Sequence, residues 1–287
     1  MSAALLLLLI SAGDATADDP VVGELRLSEI RRRLAGPDDR VRRKVLADLA
    51  GLGERAAPAI GPVAERLLAD PVTKVRIYAA QVLGAVGPRS IKALGDESHH
   101  VRAGTAIALS NAGPGAKDAV PHLLKLLKDP EERVRTAAAA ALPKVGAAAE
   151  EAVPSLTAAL ADPQPGTRAA AAQSLSVYGS AAAEAVPAMV RALSAPEWIV
   201  RSITAQSLGE LGPAAKSAVP AITALLGDKE SIVRRRAAEA LGRLGPDAGV
   251  ALPELRRLAS DPDADVRAAA AEAVRRLTAA PTEAPPK

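Results

Sequence analysis

The sequence predicts an all-α protein, a right-handed α-solenoid (an α-α superhelix) of stacked helix pairs. Three observations predict it. The dipeptide Val-Arg recurs along the chain, a glycine follows it at a fixed distance, and almost no aromatic residue is present to fill a thick core.

The recurrences are Val41-Arg42, Val75-Arg76, Val101-Arg102, Val134-Arg135, Val200-Arg201, Val233-Arg234 and Val266-Arg267, with Thr167-Arg168 in the one gap. The step is 33 residues from Val101 onward, after steps of 34 and then 26. Twelve residues after the first position stands Gly53, Gly87, Gly113, Gly146, Gly179, Gly212 or Gly245, and Pro follows directly at 88, 114, 213 and 246. Glycine tolerates a left-handed helix cap and proline cannot extend a helix, so each pair marks a helix end. Upstream, Asp-Pro at 70–71, 129–130, 162–163 and 261–262 marks a start, with Asp capping free amides and Pro in the first helical position.

Between these ends the apolar residues fall at offsets 0, 4, 8 and 11. Val233, Ala237, Leu241 and Leu244 show the pattern, as do Val41, Val45, Leu49 and Leu52. That spacing is one stripe of an amphipathic helix, helix A. After a short turn, helix B begins near Val120-Pro121, Val153-Pro154, Val186-Pro187 and Val219-Pro220 and runs to the next Asp.

The pattern Asp-Pro-x-x-x-Val-Arg, an Ala-rich helix closing at Leu-Gly-Pro, then Ala-Val-Pro-x-Leu resembles the short HEAT repeat of the phycobilisome-lyase type. Residues 228–254 carry nearly the whole consensus, and the resemblance spans roughly residues 24–278. It implies a solenoid over residues 18–278, with a capping helix at 24–35, seven A/B pairs and a last helix at 262–278. A single unit cannot bury its own stripe, so neighbours must stack. The tail 279–287, with three prolines, is expected to be disordered.

Composition fits a structure two helices thick. The 287 residues include no Phe, two Tyr and one Trp. Thirty-six Lys and Arg against 33 Asp and Glu give a net charge of +3 and no large single-sign field. Without cysteine there is no disulfide, thiolate metal site or thiol nucleophile. Ala3 to Ile10 is a short apolar run followed by Ala15-Thr16-Ala17, which reads as a signal peptide over residues 1–17 that lacks a basic n-region. The mature chain is then expected to be exported, to the periplasm or beyond, and otherwise cytoplasmic. No later segment is long and apolar enough to insert in a membrane.

Several residues invite functional readings. Asp stands six residues before Arg76, Arg102, Arg135, Arg168, Arg234 and Arg267. Because Asp and Arg travel together, this ladder is expected to pair with loop carboxylates of its own or the adjacent repeat, not with phosphates. Arg201, with Ala195 in the Asp position, is expected to be freer. The short step from Val75 to Val101 removes seven residues from helix B. It predicts a local notch, with Ile91 and Leu94 still on the core side. His99, His100 and His122 are the only histidines. A metal site needs three or four converging ligands, so His99 and His100 are expected as polar residues of an exposed loop. Trp198 is either an interface anchor or a cover over the neighbouring loop. Four residues past the recurring Pro stand Lys125, Ala158, Arg191, Ala224 and Arg257, a weakly basic row on helix B, which lines the concave face of such solenoids.

The function expected from these features is a non-catalytic protein-binding scaffold with no cofactor. The lyase resemblance offers an enzyme as the alternative, but only the structural consensus matches and no chromophore pocket carries over. HEAT-like deoxyhypusine hydroxylase holds two irons with His-Glu pairs, and no His here precedes Glu. Ser110, Ser174 and Ser207 lie within helix A, not on a nucleophile elbow. HEAT-like DNA glycosylases use several aromatics beside a basic face, so nucleic acid is not expected as a partner.

Overall fold

The computed structural model describes residues 21–22, 25–50, 67–84 and 88–279. The expected signal peptide, Gly53 and Gly87, most of the first helix B and the tail beyond Ala279 lie outside the described residues. The chain divides into two compact units, Met1–Ala147 and Ala148–Lys287.

In the first unit, β1 (Val21–Val22) and β2 (Leu25–Arg26) form a two-residue antiparallel ladder. The capping helix therefore starts later than expected: α1 is Leu27–Ala35, because Arg26 is still extended at φ −70° and ψ 146°. Helices of the A type follow as α2 (Asp39–Ala50), α3 (Thr73–Gly84), α4 (His99–Ala112) and α6 (Glu132–Ala141), each packed on the one before. Helix α5 (Val120–Leu126) is of the B type.

In the second unit the A helices are α8 (Pro165–Ser176), α10 (Trp198–Leu211), α12 (Ser231–Leu244) and α14 (Ala264–Thr278). The B helices are α7 (Ala149–Ala159), α9 (Val186–Ala192), α11 (Val219–Ala224) and α13 (Leu252–Arg257). The stripe forms the core as expected: Val233, Ala237 and Leu241 are fully buried and Leu244 nearly so. The first unit departs once. Val41 is 38% exposed while Val45 and Leu49 are buried.

Small side chains set how closely the A helices approach. A Cβ on Gly209 would lie 2.6 Å from the Ala240 Cα, and one on Gly242 3.1 Å from the Ala273 Cα. Both glycines lie inside the last turn of their helices, where glycine is still less favourable than alanine, by up to about 1 kcal/mol. Close packing of α10 on α12 and α12 on α14 compensates for that cost.

Three local expectations are corrected. The glycine closing α10 has φ 61° and ψ −139°, so it is not a left-handed helical cap but sits in a region essentially closed to other residues. The connection to helix B is not a short turn but a seven-residue 3-10 helix, as at Gly113–Ala119, Gly179–Ala185, Gly212–Ala218 and Gly245–Ala251. The prolines of Asp-Pro lie before the helix, not in its first turn: α6 starts at Glu132, two residues past Pro130.

The shortened repeat follows from the second of these. Its 3-10 helix, Pro88–Gly95, runs straight to Asp96, and the α-helical part that spans seven residues in α5 is missing. Leu94 is buried and Ile91 half-buried, so the core side is kept.

Candidate functional site

The loops between repeats hold one recurring arrangement. Arg201 donates from Nη1 to the carbonyls of Ala195 and Pro196, at 2.9 and 2.8 Å. Its Nε and Nη2 grip both carboxylate oxygens of Asp228, in the next repeat, at 2.7 and 2.9 Å. Arg234 holds the Asp228 carbonyl and the Asp261 carboxylate in the same way, Arg102 the Asp96 carbonyl and Asp129, and Arg76 the Asp70 carbonyl and Asp96. Arg42 pairs with Asp70. Each Asp also accepts the amide two residues on, for example Glu230 on Asp228 and Asp263 on Asp261. One side chain thus closes its own turn and clamps the preceding repeat (a fork-to-fork contact with geometric specificity as well as energy).

Arg201 is therefore not freer, as the Ala at 195 suggested. It is 8% exposed and paired, because its own repeat contributes only a carbonyl, which any residue supplies. The residue that loses its Asp is Arg168, one repeat earlier. It keeps the Asp162 carbonyl at 2.8 Å and reaches Glu197 through Nη2 alone. Arg135 holds the Asp129 and Pro130 carbonyls. Arg267 holds those of Asp261 and Pro262 and is exposed.

These contacts displace the carboxylate equilibria. The Arg234 hydrogen bond holds Asp261 below the usual carboxylate range. For Asp129 and Asp228 burial pulls upward, but the bonds from Arg102 or Arg201 and from the Glu131 or Glu230 amide outweigh it, and both are lowered. Glu197 is lowered by Arg168.

Most charges on the A helices of the second unit are also paired internally, although Asp265 on α14 has no ion pair among the described residues. Arg235 and Arg236 share Glu239, Arg243 meets Glu210, and Arg275 and Arg276 share Glu272. Arg235, Glu239, Arg243, Glu272 and Arg276 line a cleft of about 340 Å³ between α12 and α14, together with Gly242, Ala269 and Ala273.

The B helices and the 3-10 segments that lead into them differ. Arg191, Arg256 and Arg257 are exposed with no ion pair among the described residues, and so are Glu150, Glu151, Glu184 and Lys216. Lys125 in the first unit is exposed and unpaired likewise. Ala158 and Ala224, between the arginines in the repeat, are exposed, as are Pro154, Pro187, Pro220 and Pro253. The sequence pointed to Lys125, Arg191 and Arg257 but missed Arg256 and the carboxylates. Their common signal is an exposed offset from the recurring Pro.

Trp198 is 45% exposed and is the first residue of α10, seven residues past Arg191. His99 and His100 are not loop residues. Ser98, whose amide is held by Asp96, is the N-cap, and the two histidines open α4 with ring centroids 4.1 Å apart. His122 is exposed on α5. Among the described residues no three His, Asp or Glu gather around a metal-sized space, and no helix is long and apolar enough to cross a membrane.

Stacked A/B helix pairs locked by a repeating Arg–Asp clamp define an α-solenoid repeat protein. The family model for HEAT repeats matches residues 60–143, 88–176, 120–209 and 186–275, and the chain belongs to that family. The curated proteins give no match. Among solved structures, YibA of E. coli is similar at 20% identity over 95% of this chain and 96% of its own, with a TM-score of 0.61. Kap121p is similar at 14% identity over 88% of this chain and 33% of its own, with a TM-score of 0.62. The CpcE–CpcF complex of phycocyanin lyase from Nostoc sp. PCC7120 shows a looser likeness, at 23% identity over 75% of this chain and 94% of its own and a TM-score of 0.47. For YibA and Kap121p, at these identities, the likeness is one of fold.

Proposed function

We propose that this chain is a non-catalytic protein-binding scaffold whose partner lies on the B-helix row of the second unit. One observation carries the reading. The loop arginines and most A-helix charges of the second unit are engaged within the molecule, Asp265 being the exception. Among the described residues Arg191, Arg256, Arg257 and Glu151 on the B helices and Glu184 in the turn before α9 have, by contrast, no ion pair. Unpaired, exposed charge on a rigid repeated surface is what electrostatic complementarity with a second protein uses for register and specificity. Trp198, the first residue of α10, is proposed as an anchor, an aromatic of the kind that dominates interface energetics. The HEAT-repeat fold supports the scaffold reading and does not favour the enzyme alternative.

The test is affinity capture with the wild-type chain, with Arg191→Glu/Arg257→Glu and with Trp198→Ala. A saturable partner that both variants retain poorly is the expected result. A partner held equally by all three chains places the interface elsewhere, and capture of a chromophore or metal in place of protein returns the enzyme reading.

A further inference from the structure

Resting on that scaffold reading, we infer that the partner contacts the B row through an acidic segment, laid across the C-terminal ends of α9, α11 and α13. The B row of the second unit is divided by charge. Its C-terminal half presents Thr157 and Ala158, Val190 and Arg191, Thr223 and Ala224, then Arg256 and Arg257. The only charges there are the three arginines. The N-terminal half and the turns before it hold Glu150, Glu151, Glu184, Asp247 and Glu254 against Lys216. A guanidinium near a helix C-terminus is stabilised by the helix dipole, which accounts for where the arginines stand. It does not engage the N–H groups of these exposed side chains, which no carboxylate of the described residues meets.

The ground between the arginines is low. Ala158, Ala161, Ser194, Ala224, Gly227 and Ser260 are all exposed and small, so a backbone can approach without clashing. Arg191 and Arg257 stand two repeats apart. Packed helices lie about 8–10 Å from one another, which sets the two guanidinium groups roughly 16–20 Å apart. An extended segment covers that in about six residues. Carboxylates at both ends of such a segment meet Arg191 at one end and Arg256 and Arg257 at the other, in the forked geometry that the inter-repeat arginines already show.

The probe is a synthetic peptide of alternating Glu and Ala, titrated into the full chain by calorimetry with the emission of Trp198, the sole tryptophan, followed in parallel. A Lys-Ala peptide is the counterpart. Saturable binding of the Glu-Ala peptide is expected, weakened about tenfold by Arg191→Glu/Arg257→Glu. Lys117→Glu/Lys216→Glu, both exposed in turns before B helices, changes net charge equally and should alter it by less than about twofold. Equal weakening by both pairs overturns the inference, because the attraction is then that of net charge alone. No binding of the Glu-Ala peptide overturns it as well. Should the Lys-Ala peptide bind instead, and Glu151→Lys/Glu184→Lys remove it, the acidic segment is wrong while the scaffold on the B row stands.

Discussion

Arg201 and Asp228 belong to different repeats and are joined by two hydrogen bonds of 2.7 and 2.9 Å, with each side chain less than a tenth exposed. The pair ties α10 to the turn that opens α12. Because Asp228 also accepts the Glu230 amide and lends its carbonyl to Arg234, one residue serves three contacts.

Removing that carboxylate should therefore cost more than a surface pair does. Asp228→Ala leaves Arg201 buried with carbonyl partners only, and a loss of about 3 kcal/mol is expected by chemical denaturation. Ala195→Asp is the converse. The Ala195 amide already donates to Ala192 at 3.1 Å, as the Asp228 amide does to Leu225. A carboxylate at 195 should give Arg168 the fork it lacks and raise stability by about 1 kcal/mol. The gain should vanish in an Arg168→Ala background. A gain that survives there means the new Asp acts elsewhere.

Acid should loosen the clamps. The folded-state equilibria of Asp129, Asp228 and Asp261 lie below the ordinary carboxylate value of about 3.9. Their contribution is fully present above that value and is lost as pH falls through the depressed folded values. The thermal midpoint should hold down to about pH 5 and drop below about pH 4. Asp228→Asn should show a shallower drop, and an identical slope would remove Asp228 from the account.

Gly209→Ala tests the helix approach. The added Cβ would stand 2.6 Å from the Ala240 Cα, so α10 and α12 must separate. A net loss of about 1–3 kcal/mol is expected despite the better helix propensity of alanine. Gly242→Ala, with 3.1 Å to the Ala273 Cα, should lose less. Equal or stabilising effects would mean that the helices yield without cost.

Leu208→Ala removes a fully buried side chain and should cost about 2–5 kcal/mol. Since contacts are local in a repeat stack, hydrogen exchange should rise most in α8, α10 and α12. Uniform acceleration through the second unit would contradict local stacking.

The helices and the buried stripe were legible because a 33-residue period repeats the same offsets, so single irregularities average out. The direction of the clamp was not. With that period, the Asp six residues before one arginine is also the Asp 27 residues after the previous one, and spacing cannot tell a carbonyl contact from a carboxylate contact. The one readable clue was Ala195 with Glu197 close by, which points to Arg168 and not Arg201. The 3-10 segments escaped because a seven-residue stretch is too short to show a helical period. On the B row the sequence offered Lys125, Arg191 and Arg257 as an offset. That they are unpaired depends on which charges the A helices and loops consume, and that is settled only in the folded chain.

The central claim is that partners meet the B row. A photo-crosslinking amino acid placed at Ala224, between Arg191 and Arg257 in the repeat and exposed on α11, tests it most directly when compared with the same residue at Glu239 on α12. The account predicts a discrete protein adduct from position 224 that is lost with Arg191→Glu/Arg257→Glu, and none from position 239. Adducts from 239 alone would contradict it and move the partner to the A helices.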